Sequence, residues 1–334
     1  MPAATGNCLL CAQPVRVVAE RTIGYQAGQQ FTIMECEGCR ASYALPLKVD
    51  DAIYGHIYEN IRFVPGYNRY HHYAMEVLRQ KYALEYLSRQ EESYWAVAHH
   101  LKKAQKRSGG MKVLEVGCGL GYFTYALADA GFDVRGVDIS PKAIAWAREH
   151  YGPYYAERTL ADLKAEDTRY DIVIMNQLIE HLPDVNGFLA EALLLLSMEG
   201  ELILTTPNKS AYPDAIWETD LPPVHLWWFG EESLRYLASS HGCTVSFVDF
   251  KPFTDAHVRV KEPLQTPLTG QPVLDEQGTV ILRQEITPVN SMKRVLERIG
   301  ALEILRTVRA TFQSKQQWRG SSGPILAAVF RRAG

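Results

Sequence analysis

Apolar residues follow two rhythms along this chain. From residue 8 to 45, short runs such as "VRVVAE", "QQFTIMEC" and "ASYAL" are separated by turn-forming stretches, which predicts short strands. From about Tyr67 to Arg107 the apolar spacing changes to three and four, in "YHHYAMEVLRQKYALEYL" and "ESYWAVAHHLKKAQ", which predicts helices. "SGG" at 108–110 interrupts that pattern. The centre then alternates. "KVLEVG" precedes "YFTYALADAG", "DVRGVDI" precedes "SPKAIAWAREHYG", "YDIVIMN" precedes "VNGFLAEALLLLS", and "GELILTTP" leads through a long loop to "EESLRYLASSHG". "CTVSFVDF" and "GPILAAVFRR" add two further apolar strands. Apolar strands separated by amphipathic helices predict an α/β fold, a mostly parallel sheet covered on both faces.

These patterns divide the chain into a small module at 1–45, a helical lid or linker at 46–109, and a core at 110–253. A partly helical inserted region at 254–322 follows, read as a cap, and a final core strand at 323–334. With 334 residues and 47% hydrophobic content the chain can bury more than one core. Its 35 Lys plus Arg against 38 Asp plus Glu give a net charge of -3, and no concentrated basic face stands out. That balance argues against a dedicated nucleic-acid surface. The N-terminus "MPAATGNCLLC" lacks the regions of a secretion signal, and "ALLLL" at 192–196 is too short to span a bilayer. The expected setting is cytoplasmic, with a small molecule rather than a membrane as partner. Self-association stays open.

Six cysteines sharpen the picture. Cys8, Cys11, Cys36 and Cys39 form two Cys-x-x-Cys units, while Cys118 and Cys243 stand alone. A redox pair needs only one such unit, and a reducing compartment disfavours structural disulfides. The doublet therefore points to tetrahedral thiolate coordination of zinc, with iron the alternative that the ligands do not distinguish. A module this small would draw much of its stability from the metal.

"VLEVGCGLGYF" at 113–123 carries the central chemistry. A strand runs into a turn with Gly117, Gly119 and Gly121, which allow a ligand to approach the backbone closely. Tyr122 breaks the Gly-x-Gly-x-x-Gly spacing of a dinucleotide fingerprint. Asp138 ends the next strand, 21 residues after Gly117, where its carboxylate can accept both hydroxyls of a ribose. A nicotinamide oxidoreductase and a protein for another adenosine ligand both remain consistent with these residues.

Taken together, these motifs resemble the class I S-adenosylmethionine-dependent methyltransferases. Glu115-Val116-Gly117-Cys118-Gly119-Leu120-Gly121 is similar to their first motif, and Asp138 with Ile139 to their second-strand acid and the residue after it. The resemblance implies a seven-stranded Rossmann-like sheet whose last strand is antiparallel. It also implies an S-adenosylmethionine site in which Glu115 orients the methionine amine or the glycine turn. Asp162 would contact the adenine amino group, Leu163 would support the ring, and Asn176 would lie beside the methionine portion. The four-cysteine opening resembles the zinc-ribbon extension of some bacterial methyltransferases, sugar C-methyltransferases among them.

Methyl transfer from a sulfonium needs alignment and a place for a proton, not a metal. A four-cysteine zinc site has no open position and is expected to be structural. His181, in "IEHLPD", and His225, in "DLPPVHLWWFG", are the candidate bases, with Glu180 as a further one. Tyr70 and Tyr73 are candidates for the donor's carboxylate. The expected reaction is methylation of a small molecule such as a sugar or a natural-product intermediate, with oxygen favoured over carbon or nitrogen. A zinc-containing RNA-modifying or RNA-binding protein is the reading from a different class.

Overall fold

The computed structural model describes residues 6–108, 110–211, 216–218, 220–256, 270–281, 283–284 and 323–333. Three strands open the chain, β1 (Val15–Ile23), β2 (Gln30–Cys36) and β3 (Ser42–Leu45). Four helices follow, α1 (Asp51–Glu59), α2 (Asn68–Val77), α3 (Ala83–Gln90) and α4 (Glu92–Ser108). The core then runs β4 (Lys112–Val116), α5 (Tyr122–Asp129), β5 (Asp133–Asp138), α6 (Pro141–Tyr151), β6 (Tyr155–Glu157), α7 (Leu160–Ala165) and β7 (Tyr170–Asn176). It continues through α8 (Val185–Leu194), β8 (Leu196–Pro207), β9 (Trp227–Trp228), α9 (Glu231–Ser240), β10 (Cys243–Phe247), α10 (Lys251–Ala256) and β11 (Ile325–Arg332).

Seven of these strands form one sheet in the order β10-β11-β8-β7-β4-β5-β6. The pairs among β6, β5, β4, β7 and β8 are parallel, while β11 runs antiparallel to both β8 and β10. The expected sheet, its strand count and its reversed last strand are all present. Alternation along each strand feeds two cores. Val113, Ile172, Ile174, Ile203 and Val329 pack with α3, α4 and α5 on one face, while Leu114, Val173, Met175, Leu202 and Leu204 point to the other.

Local chemistry sets the helix starts. Ser140 caps α6 by accepting the Ala143 N–H, with Pro141 in its first turn, and Asp184 caps α8 by accepting the Gly187 N–H. The apolar run "ALLLLS" reads as helix but turns to strand at Leu196. Leu195 and Leu196 are drawn under the core, where the Leu195 carbonyl accepts the Tyr170 N–H.

The region expected to form a separate ribbon shares the main core. Cys8, Val15, Met34, Cys36 and Tyr43 belong to the same buried cluster as Leu114 and Val173. A second four-stranded sheet, β1-β2-β3-β9, includes a strand from far along the chain. The segment around 46–66, of indefinite pattern, forms α1 and a series of turns. The inserted cap read at 254–322 lies largely outside the described residues. Its described part, 270–281 and 283–284, packs Val273 and Leu274 against Ile53 and Ile57 of α1.

A buried ion cluster ties α4 to the reversed strand. Glu201 of β8 faces its cross-strand partner Arg331 of β11 at 2.6 Å and His100 of α4 at 2.5 Å. Burial alone would raise the Glu201 carboxyl, but hydrogen bonds from His100 and Arg331 overcome this and hold it down at about 2. Because the folded value lies below the unfolded one, this stabilisation is complete above about pH 5. It is lost as pH falls towards 2. Glu201→Gln is expected to cost roughly 2–3 kcal/mol at pH 7 and much less at pH 3, measured by urea unfolding at each pH.

Candidate active site and metal centre

The turn after β4 is held by the end of β5. The Gly117 and Cys118 N–H groups donate to the Val137 carbonyl, and the Gly119 N–H donates to Asp138 Oδ2 at 2.9 Å. The other oxygen, Oδ1, accepts the Ser140 N–H at 2.8 Å. Each oxygen keeps a lone pair for a ligand hydroxyl. Burial raises the Asp138 carboxyl, and these backbone donors oppose the rise. Gly121 leads into α5 at φ 79°, and a Cβ there would lie 2.5 Å from the Tyr155 ring and 2.7 Å from Ala147. Only glycine fits that junction.

Other predicted positions take varied parts. Ile139, directly after Asp138, is 75% exposed, an apolar surface suited to the face of a base. Glu115 is buried beneath the turn and accepts the Thr124 hydroxyl at the start of α5, and burial pushes its carboxyl up to about 8. The Cys118 thiol, also buried, is pushed well up, so it stays a thiol and packs. Asn176, at the end of β7 beside β4, accepts the Thr205 hydroxyl at 2.7 Å.

The loop after β6 gives Asp162 a local role and corrects one expectation, that of Leu163 as support for the ring. The Asp162 carboxylate is committed to the start of α7, accepting the N–H and the hydroxyl of Thr159, each at 2.8 Å. Leu163 is fully buried in the core under that loop and presents no surface to a ring. Tyr73 likewise serves helix packing, since it is buried and donates to Glu91 at 3.1 Å.

Beyond Asn176 lies a buried polar cluster. His181 Nδ1 donates to the Val224 carbonyl at 2.5 Å, which leaves its Nε2 as an open acceptor. The His225 ring meets the His181 ring edge-on, with centroids 4.7 Å apart, and His225 Nδ1 faces Asp220 Oδ2 at 3.8 Å. Glu180 is buried, and neither of its carboxylate oxygens has a hydrogen bond of ordinary geometry. Glu180, His181 and His225 bring ligand atoms within 4.8 Å of one another, so a divalent cation could also lodge there. Tyr54 of α1 closes the cluster by donating to the same Val224 carbonyl at 3.2 Å, and Tyr58 reaches towards Gly119.

Burial is the main force on this cluster's charges. It lowers both imidazoles to about 3, with a further push on His181 from His225 and on His225 from Arg69. It raises Glu180 to about 8 and Asp220 to about 7. Both imidazoles are therefore neutral near pH 7, and either would need a nearby carboxylate to stabilise it once protonated. Tyr54, Tyr58 and Asp220 were missed by sequence reasoning. The spacing of Tyr54 and Tyr58, four residues apart on one helix face, was a usable signal, whereas Asp220 had none.

The predicted metal ligands do come together. The four cysteine sulfurs lie within 4.8 Å of one another, with Cys8–Cys39 at 3.7 Å and Cys11–Cys36 at 3.3 Å. Zinc–sulfur bonds of about 2.3 Å give tetrahedral edges of roughly 3.8 Å. The Gly38 and Cys39 N–H groups donate to the Cys36 sulfur, and the Leu10 N–H donates to that of Cys8. Without a cation the four thiols do not ionise together. A hydrogen bond from Cys39 draws Cys8 down to about 5, while the same bond pushes Cys39 far up and burial raises Cys36. A divalent cation is what four thiolates at this spacing require.

Residues 86–246 match a family model described as a methyltransferase domain. This stretch is a methyltransferase domain, similar in sequence to S-adenosylmethionine-dependent enzymes. A probable S-adenosylmethionine-dependent methyltransferase of Mycolicibacterium smegmatis is 32% identical over 158 residues, 46% of this chain and 61% of that protein. A ubiquinone biosynthesis O-methyltransferase of Haemophilus ducreyi is 32% identical over 111 residues, 30% of this chain and 47% of that protein. The chain thus spans less than two thirds of these relatives' own lengths. Among solved structures, a possible histamine N-methyltransferase of Thermotoga maritima aligns at 16% identity with a TM-score of 0.44, over 84% of this chain and all of that one. The matched residues include the glycine turn and Asp138, whose free carboxylate lone pairs and open backbone suit an adenosine ligand.

Two outcomes test this site. Zinc analysis of the purified chain should find one ion, lost or much reduced in Cys36→Ser. The Glu180 carboxyl titrates higher folded than unfolded, so the unfolded chain releases its proton first and stability falls as pH rises from about 4.5 towards 8. Glu180→Gln should flatten that decline in the ligand-free protein, read from Tm across pH 5–8.

Proposed function

We propose that the protein is an S-adenosylmethionine-dependent methyltransferase acting on a small molecule, with His181 or His225 taking the acceptor's proton. One observation carries this reading: two half-buried imidazoles in ring contact at the carboxyl edge of the sheet, just past the turn that Asp138 secures. The bound donor supplies an electrophilic methyl group on a sulfonium. Asp138 and Ile139 would hold its adenosine, with Gly117, Gly119 and Gly121 allowing close approach and Asn176 lying nearer the methionine portion. Glu115 acts beneath, fixing α5 to the turn.

The protein's own part in transfer is alignment and proton handling. His181 is held in one tautomer by the Val224 carbonyl, so Nε2 is its accepting atom. His225 faces Asp220, whose carboxyl titrates near neutrality and can stabilise a nearby imidazolium once ionised. Tyr54 covers the histidines from α1 and limits water there. A polar lining of imidazole, carboxyl and phenol favours a hydroxylated acceptor, and hence O-methylation over C- or N-methylation. Sugars and hydroxylated natural-product intermediates have that chemistry. Zinc in the four-cysteine site serves structure. Among the described residues, no helix is long and apolar enough to cross a membrane.

Calorimetry decides between this reading and a nicotinamide oxidoreductase: S-adenosylhomocysteine should bind saturably, and NAD should not. With labelled S-adenosylmethionine and a panel of hydroxylated small molecules, His181→Ala and His225→Ala tested separately should identify the base. Loss of the base is expected to lower turnover about 10²–10⁴-fold with unchanged affinity for S-adenosylhomocysteine. Full rates in both variants would remove both histidines from the mechanism.

A further inference from the structure

The cysteine-bearing strands and the loop that carries His225 are parts of one sheet. β3 pairs with β2, which leads into Cys36, and on its other edge with β9, where Ser42 faces Trp228 and Tyr43 faces Trp227. The Ala44 N–H donates to the Leu226 carbonyl at 2.9 Å, and the Leu226 N–H donates to the Glu180 carbonyl at 2.8 Å. One residue, the immediate neighbour of His225, therefore links β3 to the segment that holds His181. Trp227 reinforces the link. Its ring lies 5.0 Å from that of Tyr43, and its Nε1–H donates to the Leu182 carbonyl at 2.9 Å. Behind β9, the buried Lys209 ammonium bridges Glu35 of β2 at 2.5 Å and the Arg40 carbonyl at 2.8 Å, while its N–H donates to the Phe229 carbonyl.

We propose that the four-cysteine module is a positioning element for the His181–His225 pair, so that metal loading sets the geometry of the acceptor site and leaves the donor site intact. Its catalytic consequence rests on the proton-acceptor role proposed above. The physical argument is one of rigidity. β9 is only two residues long and has little hold of its own, and β3 is four residues long. A strand so short keeps its register only if the partner edge is fixed. That edge is fixed by Cys36 and Cys39, five residues before Ala44 at the nearer end. Without the cation nothing bonds the Cys8–Cys11 turn to the Cys36–Cys39 turn, and any loosening of the knuckle would pass through Ala44 and Leu226 to both histidines. The donor turn hangs instead on β4, β5 and α5, through Val137, Asp138 and Thr124.

The test uses the full chain, with histidine resonances followed by NMR and assigned from His181→Gln and His225→Gln. Metal is removed by a chelator and restored with zinc. Ala44→Pro is compared in parallel, since it keeps all four thiols but deletes the N–H that reaches Leu226. Removing the metal should shift the His181 and His225 signals reversibly, and Ala44→Pro should shift them with zinc still bound. Affinity for S-adenosylhomocysteine should stay within about threefold of wild type in both cases. Unmoved histidine signals after zinc loss would overturn the proposal. So would a parallel loss of S-adenosylhomocysteine binding on removing the metal, because the metal would then support the whole fold rather than the acceptor site. Failure of zinc-loaded wild type to bind S-adenosylhomocysteine would instead sink the methyltransferase reading, and the histidine shifts would still judge the coupling.

Discussion

The Gly119 N–H on the Asp138 carboxylate joins two loops that parallel strands leave side by side but do not themselves connect. Parallel pairing of β4 with β5 brings both carboxyl ends to one edge, and the glycine turn then folds over the acid. Everything that could grip an adenosine depends on that contact. It orients Asp138, leaves Ile139 turned outwards, and sets the entry angle of α5, where Thr124 meets Glu115. The requirement for glycine at 121 is part of the same constraint, since the Tyr155 ring occupies the space a side chain would need.

The second feature of the site is its avoidance of charge. Burial pulls the histidines down and the carboxyls up, so groups that would be ionised in water sit together near neutrality. Such a cluster costs stability when empty, and proteins tolerate that cost where the groups have work to do. A sulfonium beside it would meet polar but uncharged neighbours, and an acceptor proton would find a lone pair waiting at His181 Nε2.

Much of this was legible in the chain. The strand–helix alternation of the centre is a local signal, strong because each apolar strand is bounded by glycine, proline or a helix cap, and it yielded the sheet with its reversed last strand. The glycine turn, Asp138 and the four cysteines were legible because their spacing is short. The misreadings are long-range. Nothing near Trp227 and Trp228 announces a strand, because its partner lies almost two hundred residues earlier. The resemblance makes Asp162 a ligand, and Thr159, three residues before it, adds a helix cap that uses one oxygen of its carboxylate. Leu196 looked helical because a continuous apolar run has no period to read. Asp220 and Tyr54 reach the histidines only through folding of distant segments.

The order of strands also has a consequence for how the chain matures. β11, the last strand in sequence, is sandwiched between β8 and β10. Until residues 325–332 leave the ribosome, those two strands present open, apolar edges with unmet backbone groups, the kind of surface that invites pairing with a neighbouring nascent chain. The intervening stretch after α10 must also be synthesised during this interval. A helper that shields exposed strand edges would therefore matter most between the emergence of β10 and that of β11, and a chain lacking residues 325–332 would be held in that sticky state.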